Sequence, residues 1–283
     1  MPLPVSIHTA RTDAGTRRAR RRSYLMCPPT YFRLAYEINP WMDRSIPVDS
    51  DRAVRQWEIL RQVYIDLGHE VRLVAPEPDL PDMVFAANAA LVLDGRVFGA
   101  RFRNVERARE SAVYKAWFAA AGFDSFREPM HVNEGEGDFV VVGDLILAGT
   151  GFRTDPQAHS EVQEHFGRPV VELQLTDPRY YHLDTALFAL DDNNVAYYPA
   201  AFTPGSRAVL ERLFPDAITA ETADAEVFGL NSVSDGHHVV IEAAATGLIE
   251  RLHRHGYQPI PVDLSELRKA GGAVKCCTLE IRL

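Results

Sequence analysis

Apolar positions recur along the chain in two alternating rhythms. Stretches in which they fall three or four residues apart are followed, after a short loop, by runs of clustered apolar and β-branched residues. The first pair is AVRQWEILRQVYIDL at 53–67 and EVRLVA at 70–75, where Val54, Trp57, Leu60, Val63 and Leu67 share one helical face. The pattern returns at 111–121 then 123–126, 160–166 then 169–175, 206–214 then 216–220, and 245–255 then 257–264. Gly68, Gly122, Gly167 and Gly256 follow four of these helical stretches, as C-caps commonly do. Further strand candidates lie between them at 83–93, 96–101, 138–149, 185–192, 194–199, 237–242 and 275–283. Five units of similar architecture result, without a strict sequence repeat. Such units leave apolar faces uncovered when alone. They close either by stacking radially into a five-bladed α/β propeller or by joining one open α/β sheet.

The 283 residues are 46% apolar and 24% charged, which suits a globular protein and excludes wholesale disorder. Apolar runs such as FVVVGDLILAG at 139–149 are broken by charge well short of the roughly 20 residues that span a bilayer. Three cysteines, two of them adjacent, make no disulfide framework, so a reducing, cytoplasmic setting is expected. The net charge of −9 is uneven: residues 1–22 hold six arginines against one acid, Asp13. They read as a flexible basic arm, with no apolar core of a secretory signal, or as a nucleic-acid or targeting arm, ahead of a single domain over 23–283. The acidic body disfavours nucleic acid and steers cationic small molecules. There is no CxxC and no HExxH, so a zinc site is not expected.

Candidate chemistry gathers beside strands and turns. Cys276 follows Gly271, Gly272 and Lys275 and opens the terminal strand candidate. It reads either as an exposed thiol in a basic setting that favours ionisation or as a buried structural cysteine. Strand alternation would send Cys276 and Cys277 to opposite faces. His182 and Asp184, two apart in YYHLD, would share one face of an extended segment, a fit to a general base beside a cation-holding carboxylate. NEGEGD joins Glu134, Glu136 and Asp138 through glycines ahead of a strong strand, either as a solvated acidic turn or as a grip for a guanidinium or ammonium group. Asn39 and Asn88 are amides in apolar surroundings and need partners.

Taken in order, MCPPTYF, EINPWM, VFAANAALV, FRNVER, NEGEGD, YYHLD and GGAVKC resemble the guanidino-group-modifying (pentein) superfamily from about residue 24 to the C-terminus. That superfamily includes arginine deiminase, dimethylarginine dimethylaminohydrolase, amidinotransferases and arginine dihydrolase. The resemblance implies a five-bladed α/β propeller, no metal and no organic cofactor. It implies a small-molecule substrate, arginine or a methylated arginine, with no nucleic-acid or membrane partner; a homo-oligomer is compatible with it. It also implies Cys276 as nucleophile, His182 as general acid/base and Asp184 as guanidinium holder. Asn88 stands where most relatives carry an aspartate, Arg107 matches a position that binds the substrate α-carboxylate, and Asn39 lies in the N-terminal binding segment with Asp43. The second catalytic carboxylate falls in EGEGD, where an extra residue leaves both Glu134 and Glu136 as candidates and Asp138 as a binding residue. GGAVKC carries alanine and lysine where glycine and arginine are common. Asn231 to Asp235 are candidates for the same mouth.

Asparagine at 88 offers both a donor and an acceptor, so it suits a neutral ureido group as well as a guanidinium. VFAANAALV resembles arginine dihydrolases, which hydrolyse arginine twice. The expectation is therefore an arginine dihydrolase-type amidinohydrolase working through a thiouronium intermediate. A dimethylargininase is the alternative, with an amidinotransferase or a non-catalytic arginine-binding relative behind it.

Overall fold

The computed structural model describes residues 17–283. The chain opens with β1 (Ser23–Met26), a helix over Ser50–Asp66 and β2 (Glu70–Leu73), which pairs parallel to β1. Four repeats of one unit follow. Each is an antiparallel strand pair, a helix, and a third strand parallel to the second. They are β3 (Ala90–Leu93), β4 (Arg96–Gly99) and β5 (Phe126–Arg127) around helix Glu110–Ala120; β6 (Phe139–Val142), β7 (Leu145–Thr150) and β8 (Val170–Gln174) around helix Pro156–Phe166. Then come β9 (Leu187–Ala189), β10 (Val195–Tyr197) and β11 (Ile218–Thr219) around helix Pro204–Leu213; and β12 (Val233–Ser234), β13 (His238–Glu242) and β14 (Gln258–Val262) around helix Thr246–Arg254.

The last strand, β15 (Leu279–Glu280), completes the first unit by pairing antiparallel to β1, Leu25 opposite Leu279. Five three-stranded sheets result, and the first strands of neighbouring sheets touch, β15 with β3, β6 with β9 and β9 with β12. The architecture is the five-bladed α/β propeller, and the ring is closed by the pairing of its first and last strands, β1 and β15. Among the described residues no open sheet forms, because each unit carries only three strands and buries its helix-facing side under its own helix. Trp57, Leu60 and Tyr64, for instance, are buried on one face of the helix over Ser50–Asp66. That helix is capped at its start by the Asp49 carboxylate, which accepts from the Arg52 amide at 2.9 Å.

The helical stretches fall within a few residues of their expected places, and Gly68, Gly122, Gly167 and Gly256 all adopt positive φ. Three strand expectations are corrected. Residues 83–93 are not one strand: 3-10 turns at Pro81–Val84 and Ala86–Ala89 precede β3. Residues 138–149 are a hairpin that bends at Gly143 and Asp144. The terminal strand is only Leu279–Glu280, so Cys276 and Cys277 lie on the turn before it and both are buried.

The basic arm was expected to run through residue 22, and its first sixteen residues lie outside the described residues. Residues 17–22 instead rest on the domain, because acids and an aromatic ring meet the arginines. Arg17 donates to Asp191 at 3.0 Å and lies 3.6 Å over the Tyr257 ring; Arg20 pairs with Asp192, and Arg22 with Glu280 at 3.2 Å. No helix among the described residues is long and apolar enough to cross a membrane.

Candidate active site

A turn precedes the first strand of each blade, and the polar residues singled out in the sequence sit on these turns. Asn88 lies on the 3-10 turn before β3 and Glu136 on the one before β6, with Glu134 just ahead of it. His182 caps the turn that holds Asp184 before β9; Asn231 precedes β12, and Cys276 precedes β15. The propeller thus delivers one short, irregular segment per blade to a common centre, where a regular strand would have aimed alternate side chains apart.

Cys276 is buried, not exposed as one reading of the sequence had it. Its Sγ lies 3.4 Å from Asp184 Oδ2 and 3.1 Å from Asn231 Nδ2. Burial, reinforced by the Asp184 carboxylate, holds the thiol well above its ordinary pKa, so the resting sulfur is protonated. Asp184 is itself pushed up to about 7 by burial, against the opposing pull of Lys275 and of its bonds to Cys276 and Asn231.

His182 does not lie on an extended run with Asp184. It is extended itself, and a 3-10 turn over Leu183–Thr185 follows. Its Nε2 stands 2.7 Å from Glu134 Oε2, and Arg153 Nη1 donates to the same oxygen at 2.8 Å. Burial opposes ionisation of Glu134, yet Arg153, His182 and Arg107 together hold its carboxyl well below the usual range. Asp138 accepts from the Leu183 amide at 3.0 Å through Oδ1, and its other oxygen lies 4.0 Å from His182 Nε2. Burial lifts Asp138 to about 6 despite the neighbouring His182.

Glu136 is the second acid left open by the extra residue in EGEGD, and it turns elsewhere. It pairs with Lys275 and Arg282 and accepts from the Glu280 amide at 2.9 Å. Its place is the joint between β15 and the turn before β6, and it makes no bond to His182.

Asn88 Oδ1 accepts from Arg107 Nη1 at 2.7 Å. A guanidinium has only donors, so this contact fixes which end of the amide faces it and leaves Nδ2 on the other side. Arg107 is buried, with Nε and Nη2 bound to Glu110 at 2.9 and 2.8 Å and Nη2 also to the Asp82 carbonyl at 3.2 Å. The resemblance gives Arg107 to the substrate α-carboxylate; in the structure most of its donors are engaged by Glu110, Asp82 and Asn88. Gly137 lets these groups approach: a Cβ there would meet Asn88 Nδ2 at 2.4 Å and the His182 ring at 3.2 Å. Asn39 binds the Ala270 carbonyl at 3.0 Å and the Trp41 amide at 2.9 Å, steadying the Gly271 turn. Gly271 sits at φ +82°, where a Cβ would meet Asn39 Oδ1 at 2.7 Å. Asp43 is exposed and bonds Ser45.

Asn88 Nδ2, Asp138 Oδ2, His182 Nδ1 and Asp184 Oδ1 are all buried and have no hydrogen-bond partner among the described residues. Buried polar atoms are ordinarily paired. Four exceptions on adjacent turns provide donors and acceptors for a planar polar ligand beside a thiol. No group of three or more His, Cys, Asp or Glu side chains among the described residues is arranged to hold a metal ion. Sequence reasoning missed Arg153, which is buried, donates to the Ile38 carbonyl at 2.8 Å and stacks 4.6 Å over Tyr181. It also missed Glu110. Neither lies in a distinctive local pattern; each acts through a partner far away or one helical turn off.

The family model for eukaryotic N,N-dimethylarginine dimethylhydrolase matches residues 36–283. An N(G),N(G)-dimethylarginine dimethylaminohydrolase of Mycobacterium tuberculosis is 52% identical over 97% of this chain and 91% of its own. The bifunctional arginine dihydrolase/ornithine cyclodeaminase ArgZ of Synechocystis is 39% identical over 91% of this chain, which spans only 37% of that longer protein. A solved structure of the N-terminal domain of ArgZ, covalently bound to a reaction intermediate, superposes with a TM-score of 0.89 at 38% identity, over 92% of this chain and 97% of the other. A dimethylarginine dimethylaminohydrolase from Pseudomonas aeruginosa shares the fold, with a TM-score of 0.79 at 20% identity over 92% of this chain and 99% of the other. The chain belongs to the dimethylarginine dimethylaminohydrolase family of the guanidino-group-modifying (pentein) superfamily and is a hydrolase of guanidino or amidine C–N bonds.

Proposed function

We propose that residues 23–283 form one catalytic unit that hydrolyses the guanidino group of arginine twice, to ornithine, carbon dioxide and two ammonia. The carrying observation is Asn88: Arg107 occupies its oxygen and leaves a buried, unpartnered N–H₂ donor at the centre. A donor suits the carbonyl oxygen of a ureido group, which a second round must hold. An aspartate in that place would suit only the cation.

The groups have distinct tasks. Asp184, and Asp138 beside it, accept from the guanidinium N–H groups. The arriving cation offsets the negative charge that, with burial, keeps the Cys276 thiol protonated, so substrate binding itself favours the thiolate. The thiol proton passes to His182 Nδ1, and the sulfur attacks the guanidino carbon. The C–S bond forms, His182 returns a proton to the departing nitrogen, and ammonia leaves a thiouronium adduct on Cys276. His182 then deprotonates water, which attacks the same carbon; the C–S bond breaks and citrulline results. Glu134, held ionised by Arg153, orients the imidazole through Nε2 and stabilises its cationic form. In the second round the sulfur attacks the ureido carbon and ammonia leaves a thiocarbamate. Water releases a carbamate, which loses carbon dioxide to give ornithine.

The M. tuberculosis relative favours a second reading, in which dimethylarginine yields citrulline and dimethylamine. Purified protein incubated with arginine and, separately, with asymmetric dimethylarginine separates them. Ornithine formed from arginine supports the proposal. Dimethylamine release with arginine inert supports the second reading, and stoichiometric citrulline without ornithine rejects double hydrolysis.

A further inference from the structure

Asn231 has no role in the chemistry above, yet it touches the reacting sulfur. Its side chain is buried and its amide is used on both ends. Oδ1 accepts from the backbone amides of Ala273 and Cys276, both at 3.1 Å. Nδ2 donates to the Asp184 carbonyl at 3.1 Å and lies 3.1 Å from Cys276 Sγ. The Asn231 carbonyl accepts from the Lys275 amide at 3.1 Å. Two N–H groups face Oδ1 and a carbonyl faces Nδ2, so the amide has one sensible orientation, and a second N–H is left for the sulfur.

The other side-chain hydrogen-bond partner of that sulfur among the described residues is Asp184, an acceptor, which suits a thiol and repels a thiolate. Lys275, next in sequence, spends its ammonium on Glu136 and the Thr278 carbonyl. The side-chain donor placed at Sγ is therefore Asn231. We propose that Asn231 is a catalytic residue of the same site, resting on the reading of Cys276 as nucleophile: its Nδ2–H stabilises the sulfur anion before attack and again when the C–S bond breaks. Its Oδ1 sets the position of that anion by holding the turn from Ala273 to Cys276. A neutral amide does this without repelling a cationic substrate or competing with it for Asp184, as a lysine or arginine at the same point would.

The test is the ionisation of the thiol. Asn231→Ala removes the donor without adding charge, and Asn231→Asp keeps an acceptor for the two backbone amides while removing the donor. Both variants and the unaltered protein are titrated for the rate of alkylation at Cys276 by iodoacetamide, with the site read by mass spectrometry, and for the ultraviolet absorbance of the thiolate. Thermal melting reports folding. Losing an anion-stabilising donor commonly reduces kcat by about 10²–10³-fold. The expected result is an alkylation midpoint displaced to higher pH in each folded variant, with at least a tenfold slower reaction at fixed pH, a kcat loss near that range and KM within about threefold. If one variant does not fold, the other carries the test. A folded variant with an unchanged alkylation profile and kcat overturns the proposal. A folded Cys276→Ala variant that still turns over substrate removes the nucleophile reading on which it rests, and the two failures are distinct.

Discussion

His182 and Glu134 come from adjacent blades, 48 positions apart in sequence, and meet with Nε2 and Oε2 at 2.7 Å in a fully buried contact. The imidazole is thereby left with Nδ1 as its one unpartnered nitrogen. Glu134→Gln keeps the shape and removes the charge. It should reduce kcat by about 10²–10⁴-fold, the range general acid–base catalysis supplies, with a smaller change in KM. It should also lower the melting temperature, because Arg153 loses a buried counter-ion. Steady-state kinetics and calorimetry read both. A variant with unimpaired kcat would remove Glu134 from the proton-transfer chain.

Asn88→Asp tests which partial reaction the amide serves. The carboxylate can still accept from Arg107 but has no donor to offer a ureido oxygen. Loss of one such buried hydrogen bond is worth about 1–3 kcal/mol, hence roughly tenfold or more in the second round. Citrulline should accumulate from arginine while first-round turnover persists. Chromatographic product ratios decide it, and an unaltered ornithine yield would show that Asn88 does not govern the second hydrolysis.

How far the sequence carried this picture depends on the scale of the signal. Helix positions were legible because Val54, Trp57, Leu60 and their counterparts repeat at helical spacing over three or more turns. The strands beside the site were not. Ala86, Ala87, Ala89 and Ala90 read as continuous apolar strand, but Asn88 has to leave the sheet to reach the centre, and a 3-10 turn results. For the same reason Cys276 sits on a turn, and the expected alternation of Cys276 and Cys277 fails. Motif order marks Cys276, His182 and Asp184 and leaves Glu134 and Glu136 both open; it gives Arg107 to the ligand, and in the structure Arg107 bonds Glu110 and Asn88. An arginine's partner is a tertiary fact. Only coordinates separate Glu134, facing His182, from Glu136, facing Lys275 and Arg282, since the two differ by a single intervening glycine.

The buried carboxylates make stability and ligand binding depend on pH in a definite sense. Asp184 and Glu110 are raised to about 7 and Asp138 to about 6, in each case chiefly by burial. Their folded pKa values exceed unfolded values near 4, so between about pH 4 and 7 the folded chain holds protons the unfolded chain has lost. Their contribution is complete below the unfolded pKa and disappears as pH rises through the folded one. Glu134 and Glu136 are depressed and act oppositely, stabilising above the unfolded pKa and failing in acid. The free protein should therefore lose melting temperature from about pH 5 to 7.5. In a Cys276→Ser variant, which lacks the proposed nucleophile, arginine should restore part of it by pairing with ionised Asp184, and the ligand-induced shift should grow across that window. A shift independent of pH would mean that the guanidinium does not meet Asp184.

Gly137 provides the sharpest separation of activity from folding. It has ordinary backbone dihedrals rather than positive φ, so an alanine there is not opposed by its own conformation. The obstacle is a neighbour. The added methyl would stand 2.4 Å from Asn88 Nδ2 and 3.2 Å from the His182 ring, well inside contact distance. Asn88 is tied to Arg107 and His182 to Glu134, so relief requires breaking one of those bonds or displacing the turn over Gly135–Gly137. Overpacking of this kind costs about 1–3 kcal/mol. A displacement of the order of 1 Å at reacting groups costs about 10²-fold in rate. Gly137→Ala should consequently fold with a modestly reduced melting temperature and lose at least that much of kcat/KM on both arginine and citrulline. Equal activity with a lowered melting temperature would place the clash away from the chemistry, and Asn88 and His182 would then not need to meet across this glycine.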